Sequence, residues 1–304
     1  MSVSKPRAGD KYRPDIDGLR AVAVLLVLVY HAGFPVSGGF VGVDVFFVIS
    51  GYLITGIIWR EILEERFSFK SFYLRRIKRL LPALLAVVVF SSIVAALVFM
   101  PADFLAYSKG LPYVLTGLAN FHFLEVTQSY FAQDAELLPL IHTWSLAVEE
   151  QYYVVWPLLL IAVYRFRARI DARVLSGLAL VTFLSFLLLS EYWARVSPSQ
   201  AYYLLHARAF ELMMGGFLAV YEPRVPRLPQ WLTSIISVLG MVLIVASAML
   251  LSRDSVFPGF SAFWVCLGTV LVIYAGGVSN KALSNRVLAW QPLVFIGLLS
   301  YSIY

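Results

Sequence analysis

Sulfur ligands are nearly absent from this chain, which holds one cysteine, Cys266, among 304 residues. An intrachain disulfide, a redox dithiol and a thiolate metal cluster are therefore excluded, and no metal is expected. Charge is scarce as well: 14% of residues are charged against 60% hydrophobic, where a soluble domain carries about 25% charge. With a mean hydropathy of +0.80, the chain reads as an all-α, polytopic transmembrane bundle. Imidazoles are few, so a histidine base must be His31, His122, His142 or His206. No internal repeat, heptad array or low-complexity tract stands out. The polar stretch before Arg20 and the lack of a small-residue cleavage site predict no cleavable signal peptide.

What is present is a series of long apolar runs. They are read as Leu19 to His31, Val41 to Trp59, Leu80 to Met100, Trp144 to Tyr164, Val174 to Ser190, Tyr202 to Tyr221, Trp231 to Leu251, Phe257 to Gly276 and Val287 to Tyr304. This predicts about nine to ten spans. Cytoplasmic loops hold lysine and arginine in excess. An N-terminus placed inside puts Lys5, Arg7, Lys11 and Arg13 there, with the dense run from Arg60 to Arg79, the group from Arg165 to Arg173, and Arg224, Arg227, Lys281 and Arg286. Only Lys109, Arg195 and Arg253 fall outside, while Arg20 and Arg208 lie within or at the edge of spans. The N-terminus is accordingly expected to be cytoplasmic. The same bias requires the segment from Pro101 to Thr143 to cross zero times or twice, and it is expected to form an external or re-entrant cap. Its aromatics, Tyr107, Tyr113, Phe121, Phe123, Tyr130 and Phe131, suit the membrane interface.

The polar residues inside these runs are the candidates for function, since ionisable groups are costly in hydrocarbon. Arg20 and His31 are eleven residues apart, so on one helix they differ by about 20° in direction and roughly 16 Å in height. Two readings stand: snorkelling to opposite headgroup layers, or lining one path. On the second, Arg20 holds the phosphates of an anionic carrier whose reactive end reaches the imidazole, and coenzyme A has that shape. Arg75, Arg76 and Arg79, at the inner end of the third span, are spaced to fork onto phosphate oxygens together, or they express ordinary positive-inside bias.

The glycine-rich Gly38 to Gly42 stretch reads as a tight external turn, because no Lys-Ser/Thr follows as in a P-loop. Asp44, two residues on, is expected to face His31 or a cavity. In the run from His142 to Tyr152, Glu150 suits a first helical turn, whereas Glu149 lies deeper, at the level expected for His31. An acid/base pair of Glu149 with His31 is conceivable, with His142 as a competing base. Arg208 and Glu211, three residues apart, read as a self-neutralising ion pair.

These motifs carry a family resemblance over Tyr12 to the last residue. Asp17-Gly-Leu-Arg20 through to His31, the stretch Gly38 to Leu53, Arg76-Ile-Lys-Arg79-Leu-Leu-Pro82 and Trp144-Ser145-Leu-Ala-Val-Glu149-Glu150-Gln151-Tyr152 resemble the signatures of the acyltransferase 3 family of integral membrane acyltransferases. The branch most similar in pattern is the bacterial O-antigen and surface-polysaccharide O-acetyltransferases. The resemblance implies residues 1–304 as one acyltransferase 3 membrane domain of the bacterial inner membrane. It implies acetyl-CoA as donor and a surface polysaccharide or lipid-linked saccharide as acceptor. His31 then corresponds to the catalytic histidine, acting as base or as acyl carrier, Arg20, Arg75, Arg76 and Arg79 to acyl-CoA contacts, and Glu149, Arg208 and Glu211 to functionally important polar positions. The expected site accordingly has His31 and Glu149 as catalytic residues, with Asp44, Trp144, Ser145, Arg208 and Glu211 as supporting polar groups. Family members continue past the Gly297 to Tyr304 motif and often add an SGNH hydrolase-like domain, so the chain is expected to end within a span. The rival class is a transporter or flippase of a lipid-linked saccharide. It would show two related halves with Gly/Pro-broken spans, and none is evident.

Overall fold

The computed structural model describes residues 12–128, 138–222, 228–279 and 282–303. Helices are α1 (Pro14–His31), α2 (Gly42–Leu63), α3 (Phe69–Val98), α4 (Pro101–Leu115), α5 (Ala119–Gln128), α6 (Thr143–Phe166), α7 (Ala172–Val196), α8 (Pro198–Tyr203), α9 (Leu205–Tyr221), α10 (Gln230–Leu250), α11 (Gly259–Val278), α12 (Leu283–Leu288) and α13 (Gln291–Ile303). No strand occurs among the described residues. In hydrocarbon a helix satisfies its own backbone, and the composition allows little else. Local signals set the ends. Pro14 opens α1, with Asp15 and Asp17 in its first turn, and Asp171 caps α7 by accepting from the Arg173 N–H at 2.6 Å.

Six helices are long and apolar enough to cross a membrane: α2 with the 3-10 turn before it, α3, α6, α7, α10 and α11. The other three expected spans are helical too. However, α1 carries Asp15, Asp17 and Arg20 along its 18 residues, and α9 and α13 have only 17 and 13 residues. The segment expected to be a cap holds α4 and α5, of 15 and 10 residues. At 1.5 Å per residue these reach about 22 and 15 Å, short of the roughly 30 Å hydrocarbon layer. Lys5, Arg7, Lys11, Tyr130, Phe131, Arg224, Arg227, Lys281 and Tyr304 fall outside the described residues.

The chain divides into two compact units, and α2 and α11 contribute to both. In the first unit, which holds Met1–Ile49, Tyr221–Arg253 and Trp264–Tyr304, α1 packs against α12 and α13. A Cβ at Gly18 would come 1.9 Å from the Leu288 carbonyl oxygen, and one at Gly297 would come 1.8 Å from that of Asp17. Only a hydrogen fits at either place. Asn285 on α12 ties this unit together: its amide donates to Asp15 Oδ2 (2.8 Å) and to the Val272 carbonyl (3.0 Å), and its Oδ1 accepts from Ser237 (2.8 Å). The loop after α1 is pinned by Ser37 Oγ and the Gly38 N–H, which donate to the carbonyls of Leu251 (2.7 Å) and Ala248 (2.9 Å).

In the second unit, which holds Ser50–Val220 and Asp254–Phe263, α2 and α9 meet at Gly51, where a Cβ would lie 1.9 Å from the Leu212 carbonyl oxygen. Trp156 Nε1 of α6 donates to Thr55 Oγ1 at 2.7 Å. The cap docks on α6 through polar contacts. Gln151 donates to the Gly117 carbonyl (3.1 Å) and to Asn120 Oδ1 (2.7 Å), and Asn120 donates to the Tyr203 carbonyl (3.1 Å). Within the cap His122 stacks on Tyr113 at 5.1 Å; burial pushes its pKa down, partly offset by Glu125.

Replacing Gly297 by Leu would drive a side chain into the α1 backbone. Overpacking of this kind costs about 1–3 kcal/mol, so the detergent-solubilised variant is expected to melt several degrees lower. An unchanged melting curve would show that α1 and α13 do not meet there.

Candidate functional site

His31 is the last residue of α1 and its side chain is exposed. The ring Nδ1 lies 2.8 Å from the Val27 carbonyl oxygen, and Tyr30 meets the ring edge-on at 5.1 Å. A carbonyl can only accept, so in this bond Nδ1 carries the hydrogen and the neutral ring presents its lone pair at Nε2. This is the arrangement a general base needs: one nitrogen anchored by its own helix, the other turned outward. Tyr30 is itself fixed, accepting from Arg253 Nε at 2.7 Å and packing edge-on to Phe40.

Arg20 sits on the same helix with its side chain 12% exposed, 3.4 Å from Asp17 Oδ1. Asp17 Oδ2 also accepts from Tyr12 at 2.8 Å, and desolvation together with that carboxylate pushes the Tyr12 phenol up to about 12. Asp44, in the first turn of α2, is fully buried. It does not meet His31, whose polar and ring contacts are confined to Val27 and Tyr30. The expectation that Asp44 faces either His31 or a cavity therefore fails for the histidine. The physical reason is position: α1 ends at His31 in the open, whereas α2 begins in the core.

Glu149 belongs to a polar knot in the second unit. Its Oε2 accepts from Ser50 Oγ at 3.0 Å and from the Tyr153 hydroxyl at 2.6 Å, and those two hydroxyls also bond to each other. Tyr73 donates to the Tyr153 carbonyl at 3.2 Å. Arg76 lies in the field of both Glu149 and Tyr153 as well as of Arg79 and Arg75. The fold thus brings together two residues that the sequence assigned to different tasks, Glu149 and Arg76, and adds two it did not single out, Ser50 and Tyr153. Tyr153 was within reach of spacing alone, being four residues after Glu149 on one helix face. Ser50 is on another helix, and nothing local in the sequence pointed to it.

The arginine run splits by function. Arg75 donates to both carboxylate oxygens of Glu61, at 2.9 and 3.0 Å, and to Ser71 at 2.7 Å, so its charge is already answered. Arg76 and Arg79 have no carboxylate within ion-pair distance among the described residues. These two suit a phosphate-bearing ligand, since guanidinium forks match phosphate oxygens.

Arg208 and Glu211 form a deeply buried ion pair, with side chains 1% and 0% exposed and 2.9 Å between Nη1 and Oε1. Arg208 Nε donates to the Tyr202 carbonyl at 3.1 Å. The rings of Trp144, Tyr202 and Phe257 surround the guanidinium at 5.5, 5.1 and 4.9 Å. Trp144 therefore acts here as a wall of the arginine pocket. Ser145 Oγ donates to the His142 carbonyl at 3.1 Å, a bond closing the first turn of α6.

These features define a multi-pass helical membrane protein with an exposed imidazole at the end of α1 and a buried ion pair on α9. A family model described as an acyltransferase domain matches residues 13–304, and the chain belongs to that family, acyltransferase 3. An uncharacterized protein of Haemophilus influenzae is 37% identical over 246 residues, covering 78% of this chain and 99% of its own length. Peptidoglycan O-acetyltransferase OatA of Listeria monocytogenes is 32% identical, with 98% of this chain and 49% of that protein covered. O-acetyltransferase OatA of Staphylococcus aureus is 30% identical, with 97% and 50% covered. The chain spans about half the length of these two O-acetyltransferases. No solved structure matches.

Truncating Arg208 to Ala removes the guanidinium paired with the buried Glu211. Removing one partner of a buried pair costs about 3–5 kcal/mol, so the variant is expected to lose most of its folded yield or to melt far below the parent. The Arg208→Met, Glu211→Leu double variant should recover much of that loss. Equal damage in both would show that an uncompensated carboxylate is not the source of the loss.

Proposed function

We propose that this chain is an O-acyltransferase that takes an acetyl group from acetyl-CoA on the cytoplasmic side of the bacterial inner membrane and passes it to a hydroxyl of a surface polysaccharide on the other side. The observation that carries this reading is His31, exposed at the end of α1, with Nδ1 held by the Val27 carbonyl and Nε2 open. Acetyl-CoA supplies the thioester. Arg76 and Arg79 are the cations that hold its phosphates, with Arg20 and Arg75 supporting while each stays bonded to its carboxylate, Asp17 and Glu61.

His31 Nε2 removes the proton from the acceptor hydroxyl as its oxygen attacks the thioester carbonyl. The carbon–sulfur bond then breaks, and the imidazolium returns the proton to the departing thiolate, so the histidine ends neutral. The Val27 carbonyl keeps the ring in the tautomer this needs. Glu149, held by Ser50 and Tyr153, is the second catalytic candidate of this reading. Asp44, Trp144, Ser145, Arg208 and Glu211 support these groups by packing and charge balance. The relatives' names speak for peptidoglycan as the acceptor class, and O-antigen is the other surface glycan that fits. A transporter reading shares the cations but gives an outward imidazole base no chemistry to do.

The test follows labelled acetyl-CoA into glycan in reconstituted liposomes. His31→Ala should lower transfer at least 100-fold while the protein inserts and melts normally; transfer that persists removes the mechanism. The Arg76→Gln, Arg79→Gln variant should bind acetyl-CoA about tenfold or more weakly, because charge-assisted bonds to phosphate are each worth about 1.5–3 kcal/mol. Unchanged affinity in a titration refutes the assigned clamp. Offering peptidoglycan fragments and lipid-linked O-antigen side by side identifies the acceptor.

A further inference from the structure

Ser68, Lys70, Ser71, Leu74, Arg75 and Lys78 line a hollow of about 340 Å3 at the basic end of α3. Its charges are unevenly answered. Arg75 is spoken for by Glu61 and Ser71, whereas Lys70 and Lys78 have neither a carboxylate nor any other polar partner among the described residues. Two ammonium groups with Ser68 and Ser71 beside them make a seat for a phosphate group, which lysine binds as a point charge.

The rest of the helix indicates which phosphate. Leu74 and Lys78 begin a stripe that continues along the same face through Leu81, Leu85 and Val89, which are 38%, 41% and 56% exposed. The apolar window of α3 is only 17% buried inside the protein, so this face is presented to lipid. A ligand that fits must carry an anionic phosphate head and, directly behind it, a hydrocarbon tail. Coenzyme A has the phosphates without the tail. We propose that the hollow binds the headgroup of an anionic phospholipid, with its phosphate between Lys70 and Lys78 and an acyl chain lying along Leu81, Leu85 and Val89. Neither lysine is assigned to the donor in the acyl-transfer reading, and the hollow shares only Arg75 with the donor clamp.

Protein in nanodiscs of mixed phosphatidylglycerol and phosphatidylethanolamine should retain the anionic lipid roughly tenfold over the zwitterionic one when bound lipid is counted by native mass spectrometry. The Lys70→Gln, Lys78→Gln variant should fall to near parity at an unchanged melting temperature, and Lys70→Arg, Lys78→Arg should keep the preference. Equal retention of the two lipids by the parent, or a preference that survives the glutamine variant, overturns the site. In a second arm, coenzyme A is titrated against parent protein carrying fluorescent phosphatidylglycerol. Displacement over the range in which coenzyme A binds assigns the hollow to the donor and also overturns it. That arm and the lipid preference of the parent need no variant, so a misfolded substitution does not blunt the test.

Discussion

Removing a charge from water costs several kcal/mol even after the protein relaxes, and a mostly apolar chain has few groups with which to offset it. Arg208 shows the consequence. Its guanidinium is nearly inaccessible, and it meets a carboxylate one turn away, a backbone carbonyl and three aromatic faces. Asp15 obeys the same rule with Arg13 and Asn285, and Glu61 with Arg75. The helices α1, α9 and α12 can pack as they do only because each such group arrives with its partner.

Once charge is answered inside, close packing rests on glycine. Gly18 and Gly297 let α1 approach α12 and α13, Gly51 lets α2 approach α9, and Gly240 and Gly268 let α10 approach α11. In an apolar solvent burying leucine against leucine gains little, so contact area and backbone proximity carry helix association. Glycines of the Gly38 to Gly42 stretch serve this purpose too: a Cβ at Gly39 would meet the Leu26 carbonyl oxygen at 2.4 Å and one at Gly42 that of Ala23 at 2.2 Å.

Exposure without a carboxylate within reach marks where chemistry is available. His31, Arg79, Lys70 and Lys78 stand open, whereas Arg20, Arg75 and Arg208 are engaged. Charge alone does not separate these two groups of residues, because each contains cations at helical spacing. What separates them is whether a carboxylate comes within reach, as Asp17 does for Arg20 and Glu61 for Arg75.

Composition and periodicity settled the helical class, the membrane setting and the Arg208–Glu211 pair, because each follows from hydrophobicity or from neighbours three to four residues apart. The tertiary structure alone decided that Arg75 is occupied by Glu61, fourteen residues back, and that Ser50 meets Glu149 across ninety-nine residues. It also set Asp44 in the core, apart from the exposed His31. Such contacts depend on how helices rotate and slide against one another. That is fixed by the summed packing of many side chains, so no local pattern in the sequence records it.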